Sequence, residues 1–219
     1  MSLLRSTATD LRAVALPWIT ARVLVGIGFV VAMAVADRLV PGSEPVALTE
    51  GLVAWDGTWY RDIADVGYQA LPDEGLRFFP LFALLGRFLS PLTLGRVDVA
   101  LVIVANLASL ALAVGVRRLV LFERGNTALA DRAVWFTALF PGAFVLSWAY
   151  AEALWMLAAV VLFWAARSRH WWWAVAAGLV AGATRPLGVL LAVVVVIELA
   201  RVWRRARNDE RVAGVLAGC

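Results

Sequence analysis

The sequence predicts an all-α, polytopic membrane protein with about six transmembrane helices in a single transmembrane domain over residues 1–219. Three observations carry that reading. The chain is 63% hydrophobic and only 16% charged, with a mean hydropathy of +0.82. Apolar runs approaching the roughly 20 residues that cross a bilayer's hydrocarbon recur along its length. The basic residues gather at the ends of those runs, as membrane orientation requires. A pI near 10.2 therefore reflects membrane topology and gives no case for nucleic acid. All 20 basic residues are Arg, as a GC-rich coding genome would produce. Cys219 is the sole cysteine, so neither an internal disulfide nor a zinc ribbon is available.

The first span is expected at 18–36. It contains Arg22 and lacks a small-x-small cleavage site, so it reads as a retained helix and not as a signal peptide. A long mixed loop, 37–96, follows. Within it, residues 57–66 read as a short amphipathic helix, with Trp59, Ile63 and Val66 on one side. Residues 78–85 are apolar but too short to span; they suit a helix lying in the membrane interface and entered at Pro80. Further spans are expected at 97–116, 133–148, 152–166, 171–184 and 187–203. Arg185-Pro186 separates the last two, because proline interrupts a helix.

Thirteen Arg fall on one side of this topology and six on the other, with Arg22 inside the first span. The positive-inside rule puts the first side, and both termini, in the cytoplasm. The loop 37–96 then faces the extracytoplasmic side of a membrane, expected to be a bacterial plasma membrane. Merging the last two spans would strand the Arg-rich tail outside, which favours six.

Asp56 leads the candidate site residues. It lies in Trp55-Asp56-Gly57-Thr58-Trp59-Tyr60, a carboxylate boxed by rings on that loop. A low-dielectric setting can suit a carboxyl to general-base work, and Trp55, Trp59 and Tyr60 offer flat faces to sugars or isoprenoids. Asp56 also suits an N-cap, and one residue can serve both ends. Asp62 and Asp65 share a helix face; such a pair suits acid/base work or a metal, or a solvated face with an Arg61 or Arg77 partner, the reading preferred for Asp65. Tyr150 and Glu152 occupy a second outward turn, where Glu152 opens a helix and meets its dipole; that turn can share a cavity with Asp56. Arg185, at a break beside Pro186 and Gly188, is the best anion partner, its fork matching phosphate. Arg61 is a second cation near Asp56. Arg22 is expected to snorkel to the inner face, and His170 to be structural. No Walker loop, dinucleotide fingerprint or HExxH occurs, and no metal or other cofactor is expected.

Four ordered stretches resemble one family. They are 55–60 continuing through Ile63-Ala64 to Gly67-Tyr68, then Phe78-Phe79-Pro80-Leu81, then Phe140-Pro141 with Ser147, Tyr150 and Glu152, then Thr184-Arg185-Pro186 with Gly188. Together they resemble the PIG-V-like mannosyltransferases of the GT-C superfamily of membrane glycosyltransferases. The resemblance implies a GT-C-like fold, a polyprenyl-phosphate mannose donor and an acidic catalytic residue in the first extracytoplasmic loop, a role that falls on Asp56. Relatives are about twice as long, so the chain is expected to hold the N-terminal part of the family fold. Two other readings stay open: a non-catalytic membrane subunit that needs a partner chain, and a transporter or flippase half. Expected partners are the lipid-linked donor and membrane lipids, with no nucleic acid.

Overall fold

The computed structural model describes residues 2–39 and 49–217. Residues 40–48 of the long loop, and Cys219, lie outside the described residues. The order is α1 (Ser2–Leu39), a 3-10 turn (Gly51–Val53), α2 (Asp56–Val66), α3 (Pro80–Leu89), α4 (Val97–Arg124), α5 (Thr127–Leu139), a 3-10 turn (Pro141–Leu146), α6 (Glu152–Arg167), α7 (Trp171–Thr184), a 3-10 turn (Pro186–Leu190) and α8 (Leu191–Ala217). Among the described residues there is no strand.

Local chemistry sets several boundaries. Pro80 opens α3 at the position where its missing N–H costs nothing. Gly67, at φ 77°, ends α2 with its N–H on the Ile63 carbonyl. Gly125 closes α4 in the left-handed region, and Asn126 then caps α5 by accepting from the Leu129 N–H at 2.9 Å. α6 ends differently. His170 N–H reaches the Ala165 carbonyl at 2.8 Å and Arg169 N–H the Ala166 carbonyl at 3.3 Å, a Schellman pair. The left-handed residue in it is Arg169, at φ 63°. Glycine is the usual occupant, and a residue with a Cβ loses roughly 1–2 kcal/mol there.

α4 is the hub. Its buried Leu101 and Val104 meet Tyr60, Ile63, Phe78 and Phe82 of the α2–α3 region. Further along, Leu112 packs with Leu146 and Ala153, and Ala113 with Val14 of α1 and Val134 of α5. On the far side α6, α7 and α8 share a cluster of Leu162, Ala177, Ala181 and Leu191. Small residues line these contacts, as they do where helices pack within lipid and van der Waals fit replaces the hydrophobic drive. Gly86 is one required case: a Cβ there would lie 2.4 Å from the Leu101 side chain, so α3 and α4 meet only through hydrogen at that point.

Three helices are long and apolar enough to cross a membrane: Thr7–Ala36, Val97–Arg124 and Pro186–Arg205. The chain is thus a helical protein of membrane character, with fewer self-sufficient spans than the six expected. α6 and α7 have the expected limits but only 16 and 14 residues. The expected span at 133–148 is not one helix. α5 stops at Leu139, where Phe140-Pro141 turns the chain into a 3-10 segment, because a proline disfavours helix in the residue before it. α1 begins at Ser2, well before the expected Trp18, and α4 runs to Arg124, beyond the expected 116.

The extra turns of α1 and α4 meet in ion pairs. Asp10 is 4% exposed and accepts from Arg117 at 2.5 Å and Arg118 at 2.7 Å, while Arg117 also reaches Asp131 at 2.9 Å. Arg22 does not snorkel. It donates to Asn106 Oδ1 at 3.0 Å, the Leu146 carbonyl at 3.0 Å and Ser109 Oγ, and its guanidinium lies over the Trp18 ring at 4.1 Å. A cation held at this depth needs acceptors, and α4 with the 3-10 segment supplies them. His170 stacks on Trp164 at 5.4 Å, the structural role expected of it.

Candidate functional site

The candidate site lies at the end of the bundle opposite the Asp10 ion pairs. It is built on the turn that carries Asp56. Trp55, immediately before α2, has φ 58° and ψ −116°, a strained conformation for a bulky residue. Three contacts hold it. The Trp55 ring stacks on Trp148 at 5.1 Å with planes 5° apart. The Tyr150 hydroxyl donates to the Ala54 carbonyl at 3.2 Å. Ala149 N–H donates to the Leu52 carbonyl at 2.9 Å. Tyr150 thus holds the peptide group on the N-terminal side of Trp55. Gly57 allows the close approach, because a Cβ there would meet the Ala149 carbonyl at 3.3 Å.

Asp56 is the first residue of α2, and Trp55 occupies the capping position without a side-chain hydrogen bond. The carboxylate therefore meets the helix dipole without capping it. It faces a cavity of about 410 Å³ whose other walls include Tyr60, Arg77, Phe78, Phe79, Thr184 and Arg185. Tyr60 is buried and set edge-on to Phe78 at 5.2 Å and Phe82 at 5.0 Å. Burial pushes its phenol up to about 12; the Arg185 charge opposes the rise and the Asp56 charge adds to it.

Arg185 reaches the cavity from the far end of the chain. It sits in extended backbone between α7 and the Pro186–Leu190 turn. That turn folds tightly onto α7, and Gly188 makes this feasible: a Cβ would lie 2.4 Å from the Ala181 carbonyl and the Gly182 nitrogen. The Arg185 guanidinium pairs with the Glu152 carboxylate, which opens α6. Glu152 thereby aims the guanidinium and offsets part of its charge. Thr184, fully buried, closes its hydroxyl on the Val180 carbonyl at 2.6 Å.

The structure thus brings together Asp56, Tyr60 and Arg185 on one cavity, with Tyr150 and Glu152 as their supports. It places three others elsewhere, Trp55 among them on an apolar groove. Arg61 points away, to Glu50 at 2.5 Å and Asp62 at 3.1 Å, because it lies on the other side of α2. Trp59 stacks on Phe78 at 5.7 Å and forms the wall behind the cavity. Arg77, over the Phe78 ring at 5.1 Å, is the second cation of the cavity in place of Arg61. Its only signal in the sequence is its position just before Phe78-Phe79.

A second recess is lined by Trp55, the residue before Asp56. An apolar groove of about 410 Å³ runs between the second half of α1 and the 138–148 stretch, with Gly28, Phe29, Phe140, Phe144, Trp148 and Trp55 among its walls. Trp55 walls the groove and the next residue, Asp56, walls the polar cavity. Among the described residues, no three His, Cys, Asp or Glu side chains converge as metal ligands would.

No protein-family model matches the chain, and no curated protein or solved structure gives a match.

Proposed function

We propose that the chain is a membrane glycosyltransferase that moves a mannose-type sugar from a polyprenyl-phosphate donor to an extracytoplasmic acceptor, with inversion. One observation carries the reading: Asp56 and Arg185, distant in sequence, face the same cavity beside an apolar groove. A carboxylate opposite guanidinium groups fits a reaction in which one group takes a proton while another receives negative charge. The groove suits the isoprenoid chain of the donor, and the aromatic walls suit a sugar ring. The reading includes six spans, the three short helices crossing with their neighbours, both termini in the cytoplasm and the Asp56 end facing outward.

In this mechanism the Asp56 carboxylate removes the proton of the acceptor hydroxyl. The hydroxyl oxygen attacks the anomeric carbon from the face opposite the phosphate. The new carbon–oxygen bond forms as the bond from the anomeric carbon to the phosphate oxygen breaks, and the lipid phosphate leaves with the electron pair. Arg185, with Arg77, stabilises the charge that grows on that phosphate. Glu152 keeps the Arg185 fork oriented, and Tyr150 keeps Asp56 on the rim of the cavity. Backside displacement inverts the anomeric centre.

The test is transfer from polyprenyl-phosphate mannose by the chain reconstituted in vesicles, compared with Asp56→Asn. Loss of a positioned general base lowers turnover by roughly 10²–10⁴-fold. Unchanged turnover in a variant with wild-type unfolding behaviour removes Asp56 from the reaction.

A further inference from the structure

At the opposite end of the bundle, α4, α6 and α8 enclose a polar cavity of about 270 Å³. Four Arg and two Glu line it. Arg167 is taken by Glu123 through two bonds of 2.7 Å and reaches Glu198 at 3.3 Å, and Arg201 reaches Glu198 at 2.5 Å. Both carboxylates are thus engaged by Arg167 and Arg201. Arg169 and Arg205 also line the cavity, and among the described residues neither has an ion pair. The cavity therefore carries two cations beyond its internal balance.

Arg169 is a second and separate indication. It holds the left-handed position of the α6 terminus, where glycine closes a helix without strain. An arginine at such a site strains the backbone and sets a guanidinium at a polar cavity. Residues in sparsely populated backbone regions cluster at ligand sites.

We propose that this cavity binds a phosphate-bearing anion through Arg169 and Arg205, and that the anion is the headgroup of a membrane phospholipid. Guanidinium forks match phosphate oxygens two at a time. Phe122 and Val202 in the lining give the apolar surface that the glycerol end of a lipid needs. The ion pairs of Arg167 and Arg201 fix the walls, so the two remaining forks meet the ligand without rearrangement. The inference stands apart from the sugar-transfer reading, since none of its residues touches the Asp56 cavity.

The experiment is thermal unfolding of the full chain in neutral detergent, titrated separately with phosphatidylglycerol, phosphatidylcholine and inorganic phosphate. The wild type is expected to unfold at a saturably higher temperature with phosphatidylglycerol and to respond far less to phosphatidylcholine. Arg169→Gly is expected to unfold at a higher temperature than wild type without lipid, because strain is relieved, yet to lose most of the phosphatidylglycerol response. Arg205→Gln is expected to weaken the apparent affinity roughly tenfold or more. Phosphatidylglycerol responses that persist undiminished in both variants overturn the proposal, as does an equal response to phosphatidylcholine. A saturable response to inorganic phosphate that matches the lipid's, and is lost in both variants, keeps the anion site but overturns its assignment to a headgroup.

Discussion

The two ends of the bundle handle charge in opposite ways. At the Asp10 end, these carboxylates among the described residues are spent on arginines: Asp10 on Arg117 and Arg118, Asp131 on Arg117, Glu123 and Glu198 on Arg167. At the Asp56 end, among the described residues, only Arg185 of the cavity residues is paired, with Glu152, and Asp56 and Arg77 face the cavity without ion pairs. Charges that satisfy each other tie helices together. Charges set apart across a cavity remain available to a third party. A catalytic reading therefore belongs to the Asp56 end even though the other end holds more charge.

That contrast can be broken or sharpened by substitution. The largest effect is expected at Arg185. Arg185→Gln should lower sugar transfer by roughly 10²–10³-fold while Arg185→Lys, which keeps the charge and loses the fork, recovers only part. Arg61→Gln, outside the cavity, should leave transfer within about twofold and stability within about 1 kcal/mol. Equal losses at Arg61 and Arg185 in reconstituted vesicles would erase the distinction between cavity and surface cations.

Next in size is Asp10→Asn. It takes the buried one of Arg117's two carboxylate partners and leaves Asp131, and should cost about 2–3 kcal/mol in unfolding from mixed micelles. Transfer per folded molecule should stay unchanged, and a catalytic defect there would contradict the separation of the two ends. The double change Asp10→Leu with Arg117→Met should regain much of the loss, since well-packed apolar groups can replace a buried pair.

Tyr60 gives a pH-dependent test. Its folded-state value, pushed up to about 12 from an ordinary 10.0, means that the native state holds the phenolic proton after the unfolded chain has released it. The stability contributed by the neutral phenol is complete below pH 10.0 and is withdrawn as pH rises through about 12. Roughly 2–3 kcal/mol is lost across that window. Tyr60→Phe should abolish this part of the alkaline loss. The check is to compare unfolding of the two proteins at about pH 9 and about pH 11; parallel slopes would show that Tyr60 is not the group.

The smallest of these effects concerns the turn behind Arg185. Gly188→Ala forces a Cβ against the backbone of α7 and should cost roughly 1–3 kcal/mol. Transfer should fall further than stability, because the turn aims Arg185. An alanine variant as active and stable as wild type would show that the turn yields easily.

Much of the Asp56 end was legible in the sequence because short-range chemistry decides it. Pro80 marks a helix start, Thr184-Arg185-Pro186 marks a break, and a polar carboxylate among tryptophans marks a turn. The limits of α6 and α7 followed from their apolar runs. Other features were not legible. Hydropathy reports the ease of leaving water and says little about where helical hydrogen bonding stops. The reading therefore began α1 at Trp18 and ended α4 at 116, missing the polar turns that carry Asp10 and Arg117–Arg118. It ran a span through Phe140-Pro141, where an apolar run conceals a break. Arg22 looked like a residue reaching for the surface, because its acceptors Asn106, Ser109 and Leu146 come from other elements. Arg61 and Arg77 could not be told apart until α2 fixed which side of the helix faces the cavity.

The positive φ of Trp55 has a spatial result that outlasts any particular chemistry. A reversal of backbone hand at one residue sends consecutive side chains into different compartments, an oily one for the indole and a watery one for the carboxylate. The two residues that line them are joined by a single peptide. An amphiphile lying across it would have its greasy tail and its polar head registered to neighbouring residues, with the tyrosine hydroxyl that clips the reversal in place acting as the hinge pin of that alignment.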